Sequence, residues 1–211
     1  MRPPVPKHEQ KRLKVLWEYE ILDTVPGEIF DDMTDLAARI CHAPIALISL
    51  VDEKRQWFMS RIGFDAKQTP RHIAFCAHAI LNDDLFIVED ATKDPRFANN
   101  PLVKKSPKIR FYAGAPLVTP DGYVLGTLCV MDHVPRKLDY DQQRALQILA
   151  RLVMTQLELR RHSKELARLR AHREKNSAAL QKLRAQLREA RRELAACKAK
   201  LRQCCRASGK A

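Results

Sequence analysis

Three residues in one short stretch have the types that do chemistry: His72, Cys76 and His78. A histidine four residues from a cysteine shares its side of a helix, whereas Cys76 and His78, two apart, diverge. A histidine beside a thiol lowers the thiol's pKa, giving a nucleophile, a redox sensor or half of a metal site. The competing reading is structural, because a free cysteine is among the most buried residue types. The six cysteines, at 41, 76, 129, 197, 204 and 205, contain no C-x-x-C spacing, so neither a zinc ribbon nor a thioredoxin-type motif is indicated. Phosphate-binding loops, H-E-x-x-H, G-x-S-x-G and EF-hand patterns are absent. The adjacent acids Asp31-Asp32, Asp83-Asp84 and Glu89-Asp90 read as caps or solvated faces. Arg71, Arg96 and Arg110 are the candidate anion contacts, with surface ion pairing as the alternative for each.

The elements that would carry these residues follow from periodicity. Residues 7–22, with Leu13, Leu16, Trp17 and Ile21 near helical spacing, predict an amphipathic helix before a turn at Asp23-Thr-Val-Pro-Gly27. Residues 28–41 predict a second helix with Ile29, Met33, Leu36, Ala37 and Ile40 on its apolar stripe. The run 45–51 is apolar throughout and reads as a buried strand, with 57–62 returning as its partner. From residue 68 to 82 the chain passes Pro70 and becomes an apolar helix over 73–81. A short strand follows at 86–89, then a polar loop over 90–108 with one helical turn. Residues 111–118 and 123–132 form a hairpin around Thr119-Pro-Asp-Gly122, where proline presets φ and glycine takes the left-handed position. The small residues Ala113, Gly114, Ala115, Gly126 and Thr127 allow close backbone approach, a ligand, or tight helix packing.

After Pro135 the pattern is helical nearly to the end. From Leu152 a seven-residue repeat holds Leu152, Leu159, Leu166, Arg173, Leu180, Leu187, Leu194 and Leu201 in one seam. Three residues on from each lie Thr155, His162, Leu169, Asn176, Leu183, Ala190, Cys197 and Cys204. Seven leucines in eight places predict a coiled coil and a homodimer. In a parallel pair Glu165 would face Arg170 of the other chain, and Glu193 would face Lys198. The polar layer at Arg173 and Asn176 either fixes register or marks a hinge between two shorter coils.

Charge divides the chain the same way. The 211 residues carry 38 Lys+Arg and 25 Asp+Glu, net +13. Residues 156–211 hold 17 of those basic residues and 5 of the acidic ones, net +12. The globular part is therefore close to neutral, and any attraction to nucleic acid or an acidic protein belongs to the tail. That tail has no aromatic residue to stack on bases, which argues against single-strand recognition. No apolar stretch is long enough to span a bilayer, and the N-terminus lacks a signal-peptide core, so a cytosolic location is expected. The expected divisions are 1–22, an arm and amphipathic helix; 23–155, a globular domain; 156–205, a basic coil; and 206–211, a disordered tail.

Taken as a set and in order, the blocks of the globular part resemble the GAF domain, as found in bacterial sensors ahead of histidine kinase and diguanylate cyclase modules. The carrying residues are Ile45-Ala-Leu-Ile-Ser-Leu-Val-Asp-Glu53, Arg55-Gln-Trp-Phe58, Phe75-Cys-Ala-His-Ala-Ile80, Val88-Glu-Asp-Ala91 and Asp94-Pro-Arg-Phe97. They continue through Asn100-Pro-Leu-Val103, Ile109-Arg-Phe-Tyr-Ala-Gly-Ala-Pro-Leu117, Asp121-Gly122 and Leu125-Gly-Thr-Leu-Cys-Val130 with Asp132. The resemblance implies an α+β fold with a central antiparallel sheet of five or six strands. Helices from both ends would pack on one face, and a ligand pocket would lie on the other, under residues 65–110. It implies Phe75, Cys76, His78, Asp90 and Arg110 as pocket residues. The signature of cyclic-nucleotide members is not recognisable. Cys41-His42 and Cys76-Ala-His78 only partly match a bilin attachment site. Methionine-sulfoxide reductases of this fold need a close cysteine set, whereas Cys76 and Cys129 stand 53 positions apart. No catalytic output domain follows, so the expected function is a non-enzymatic sensor of an unidentified small molecule. It would relay binding through the coil to a downstream signalling protein. The alternative is a basic coiled-coil adaptor for nucleic acid or an acidic protein, with the globular part as its anchor. No cofactor is identified.

Overall fold

The computed structural model describes residues 3–25 and 27–207, and side chains through residue 204. Pro26 of the expected turn and 208–211 of the expected tail lie outside the described residues. The chain divides into two units, Met1–Arg161 and His162–Ala211.

The first unit is built on one six-stranded antiparallel sheet in the order β3-β2-β1-β6-β5-β4. The strands are β1 (Ile45–Val51), β2 (Arg55–Ile62), β3 (Gln68–Pro70), β4 (Phe86–Val88), β5 (Phe111–Val118) and β6 (Val124–Asp132). β1 and β6 are buried at every position, which is why their sequences run apolar without alternation. Successive side chains still go to opposite faces. From β1, Ala46, Ile48 and Leu50 join one core, while Ile45, Leu47 and Val51 join the other.

The first core is covered by helices from both chain ends. These are α1 (Glu9–Glu18), α2 (Glu28–Ile40) and the start of α5 (Tyr140–Ala207). Leu13, Leu16, Tyr19 and Ile21 enter this core, so the N-terminal arm is part of the domain rather than an appendage. The buried side of α2 carries Phe30, Thr34, Ala37 and Ala38, rotated from the expected stripe; Ile29 and Leu36 are exposed. Trp17 is also exposed, with its indole N–H donating to Asp52 Oδ1 at 3.2 Å. From α5, Leu146, Leu149, Ala150, Val153, Met154 and Leu157 complete the core. The Tyr19 hydroxyl donates to Glu158.

A buried ionic network ties α1 to the sheet. Arg12 is 3% exposed. It meets both oxygens of Glu9 at 2.7 and 2.8 Å and donates to Val51 O at 2.7 Å. Glu9 also pairs with Arg71 at 2.5 Å.

The expected helix over 73–81 is corrected by the structure, which keeps only one α-helical turn of it. Gln68–Pro70 is a strand paired with β2, Arg71–Ile73 is a single 3₁₀ turn, Ala74 is extended, and only α3 (Cys76–Ala79) is α-helical. The polar groups freed by breaking the helix are held by tertiary partners. Arg71 N–H donates to Lys54 O at 2.9 Å, and the Asn100 amide donates to Ile73 O at 2.9 Å. The apolar run reflects a loop buried on all sides. The loop over 90–108 contains one helical turn, α4 (Pro101–Lys104), capped by the Asn100 side chain.

The described residues of the second unit, from His162 to Ala207, are helical. Leu166, Leu169, Leu180, Leu183, Leu187, Leu194 and Leu201 are each about half exposed in the single chain. No helix among the described residues is long and apolar enough to cross a membrane.

Candidate functional site

The second face of the sheet is roofed by the segment 74–109 rather than by long helices. Between sheet and roof lies a cavity of about 10 Å³, lined by Leu47, Gln56, Phe58, Thr69, Phe75, Cys76 and Tyr112 among others. That is room for one water molecule. Its sheet side follows strand parity. In β2, Gln56 and Phe58 face the cavity while Trp57 and Met59 enter the helix-covered core. Gln56 pairs with Thr69 across β2 and β3. Gln56 Oε1 and Thr69 Oγ1 are buried and have no hydrogen-bond partner. A buried polar atom left so costs about 1–3 kcal/mol, so the pair is an unspent recognition capacity.

The roof is aromatic. Phe75 stacks on Phe97 with ring centroids 4.1 Å apart and also lies against Tyr112. Phe86 meets Phe97 edge-on. The Arg96 guanidinium covers Phe86 and Phe97 from outside, at 4.8 and 5.4 Å, and is held there by Asp94.

Of the five residues expected at the pocket, Phe75 and Cys76 line the cavity. His78 packs edge-on against Phe97, its centroid 4.8 Å away. Asp90 turns back on its own loop, accepting from Thr92 N–H at 3.0 Å and Thr92 Oγ1 at 2.6 Å. Arg110 donates to Val103 O at 2.9 Å and to Ile109 O at 3.2 Å, tying the loop to β5. The other candidate anion contacts are engaged as well: Arg71 with Glu9, Arg96 with Asp94. His72 is exposed and Cys76 buried, so the two do not share a helix face. Instead Cys76 meets Cys129, sulfur to sulfur 3.8 Å, across the 53 positions that separate them. Cys41 belongs to the helix-covered core on the opposite face. Among the described residues no group of three or more His, Cys, Asp or Glu is placed to hold a metal ion.

His78 gives a pH prediction. Burial, and then the positive Arg96, push its pKa down to about 4. The unfolded chain therefore binds a proton near pH 6.5 that the folded chain refuses until about pH 4. Stability is full above pH 6.5 and falls as pH drops from there towards 4. Urea unfolding across that window is expected to show the decline in the parent chain and a flattened profile in His78→Phe. Equal slopes would refute the assignment.

One face of the sheet is thus closed by terminal helices and the other by a loop roof over a small cavity. The sequence profile of the GAF domain matches residues 26–157, and the chain belongs to that family. A cyclic di-GMP phosphodiesterase of Pseudomonas aeruginosa is 46% identical over 156 residues, covering 74% of this chain but only 27% of that protein's length. Among solved structures, the GAF domain of an Acinetobacter phosphoenolpyruvate-protein phosphotransferase aligns with a TM-score of 0.54 at 18% identity, covering 73% of this chain and 95% of that one. A Neisseria meningitidis free methionine-R-sulfoxide reductase in complex with its substrate aligns with a TM-score of 0.54 at 16% identity, over 73% and 90%. The blue-light-absorbing PixJ GAF domain of Thermosynechococcus elongatus gives 0.53 at 15%, over 68% and 89%. These distant structures share the fold alone.

Proposed function

We propose that this chain is the sensory segment of a signalling system. It binds a small molecule against the second face of the sheet and passes the event through α5 to a partner, as a homodimer joined along the leucine seam. The observation that carries the reading is the cavity with Gln56 Oε1 and Thr69 Oγ1, two adjacent acceptors buried without a donor. They suit a ligand presenting an N–H or O–H, one that displaces the 74–109 roof on entry because the closed cavity holds a single water molecule.

Strand parity offers a route for the relay. Tyr112 faces the cavity, and its neighbours Phe111 and Ala113 face the core that holds α5. A shift of Tyr112 would be felt by Phe111 and Ala113, which belong to the same core as Leu149, Val153 and Leu157. A ligand preferring one packing would bias the helix through that layer. A closely similar segment sits within a much longer protein named for cyclic di-GMP hydrolysis, which favours a signalling output for this one.

Native mass spectrometry of the full chain isolated from its source cells tests both parts. The expected species is a dimer carrying a retained small molecule; a monomer without one overturns the reading. Thr69→Val sharpens the test. It removes a hydroxyl that bonds nothing, so thermal stability is expected to hold or rise slightly. Ligand affinity should fall about tenfold, the equivalent of one hydrogen bond of about 1.4 kcal/mol.

A further inference from the structure

Five polar side chains gather in a layer where packing alone asks for aliphatics: Ser49, Cys76, Tyr112, Thr127 and Cys129, each at most 1% exposed. Register assembles them. Ser49 and Thr127 are cross-strand partners on β1 and β6, and Cys129 follows Thr127 on the same face of β6. Cys76, the first residue of α3, comes down on them from the roof. Gly114 makes room for the phenol, since a Cβ there would lie 2.2 Å from the Tyr112 hydroxyl oxygen. That hydroxyl donates to Cys76 Sγ at 3.2 Å and lies 3.3 Å from Thr127 Oγ1.

The two thiols are not equivalent. Burial raises both, but around Cys76 the neighbouring Cys129 thiol and the Tyr112 hydroxyl outweigh it and favour the thiolate. Cys129 is held well above the ordinary thiol range by burial and by the neighbouring Cys76. Cys41 supplies the contrast, a lone core thiol pushed up to about 11 by burial. Cys76 also borders the cavity, which has room for one water molecule.

We propose that Cys76 and Cys129 are a redox couple that hydroperoxides convert to a disulfide, with Cys76 attacking and Cys129 resolving. In the first step the Cys76 sulfur attacks one peroxide oxygen and the O–O bond breaks. Cys76 becomes a sulfenic acid, and the departing oxygen leaves as water (or as an alcohol) with the proton Cys76 gave up. In the second step the Cys129 sulfur attacks the sulfenic sulfur, the S–S bond forms and the S–O bond breaks. The hydroxide leaves as water with the Cys129 proton. Two electrons pass from the sulfurs to one peroxide, and an external thiol reverses the change. Closure from 3.8 Å to the bonded distance of about 2.05 Å draws α3 towards β6. Phe75 immediately precedes α3, so oxidation reshapes the cavity roof; this consequence alone rests on the small-molecule reading above.

The reduced full chain is treated with excess hydrogen peroxide, blocked with N-ethylmaleimide under denaturing conditions, digested without reductant and mapped by mass spectrometry. The expected product is a peptide pair joined through Cys76 and Cys129, lighter by two hydrogens than its separate thiols. It should be the majority form of both, absent after dithiothreitol, with Cys41 blocked by maleimide throughout. Recovery of Cys76 and Cys129 as maleimide adducts, under peroxide that oxidises the exposed Cys197, overturns the proposal. So does over-oxidation of Cys76 with Cys129 left a thiol. Cys129→Ser should trap Cys76 as a sulfenic acid that dimedone labels, with little label in the parent chain; equal labelling of both chains counts against the couple. The covalent readout needs no ligand. A crosslink in a chain that retains no small molecule upholds the couple and sinks the sensor reading separately.

Discussion

Replacing Gly126 with alanine is expected to cost the domain about 3 kcal/mol or more, a large fraction of the roughly 5–15 kcal/mol that holds a typical domain folded. A Cβ at this position would lie 1.8 Å from Ser49 O and 2.9 Å from Leu50 Cα, both backbone atoms of the neighbouring strand. No rotamer change relieves such a clash; β1 and β6 must part at the centre of the sheet. Gly122 is the control. It sits at the tip of the β5–β6 hairpin with φ of +80°, and an added Cβ meets nothing within 4 Å. Gly122→Ala therefore carries only the strain of a left-handed alanine, about 1 kcal/mol. Circular dichroism during urea unfolding should separate the two; equal losses would show that conformation rather than space governs Gly126.

Arg12→Ala is expected to be nearly as damaging, at about 3 kcal/mol. The guanidinium joins α1 to the end of β1 through Val51 O, and approaches Val124 O and Leu125 O at 3.5 Å where β6 begins. Its loss strips Glu9 of one of two cationic partners and leaves the Val51 carbonyl buried without its donor. Thermal unfolding should drop by about 6–12 °C. Arg12→Lys keeps the charge but not the forked geometry and should fall between. Burial opposes ionisation of Glu9, but its bonds to Arg12 and Arg71 win and hold the carboxyl below the usual range. The network's stabilisation is thus complete above pH 4.5 and is lost as pH falls further, a window below that of His78. An Arg12→Ala chain as stable as the parent at neutral pH would refute the role given to this network.

The parts of the fold legible in the sequence were those with a local cause. β1 announced itself because a strand buried on both faces must be apolar throughout. The β5–β6 hairpin was written in Pro120 and Gly122, and the long helix in its leucine seam. Residues 73–81 misled because the apolar character of 74–80 comes from being buried throughout. No local rule distinguishes that from a buried helix. Of the residues that line the candidate cavity, Phe75 and Cys76 are named by the resemblance, while Gln56 and Thr69 are not, although a polar residue at an inward position of a strand is a signal for Gln56. The meeting of Cys76 with Cys129 had no local signal, since only the β1–β6 register and the descent of α3 bring them together.

The strand order carries a kinetic consequence. β1-β2-β3 and β4-β5-β6 are each a local meander, and the two join only along β1 and β6. Every rung of that seam, from Ile45–Met131 to Leu50–Gly126, links residues about eighty positions apart. Neither meander can bury both of its faces before the other exists, so a nascent chain that has released β1 must wait for β6. Folding is therefore set by one long loop closure rather than by the helices, and belongs on the millisecond-to-second scale of sheet proteins. While it waits, β1 presents an unpaired apolar edge, the form most prone to pair with a neighbouring chain.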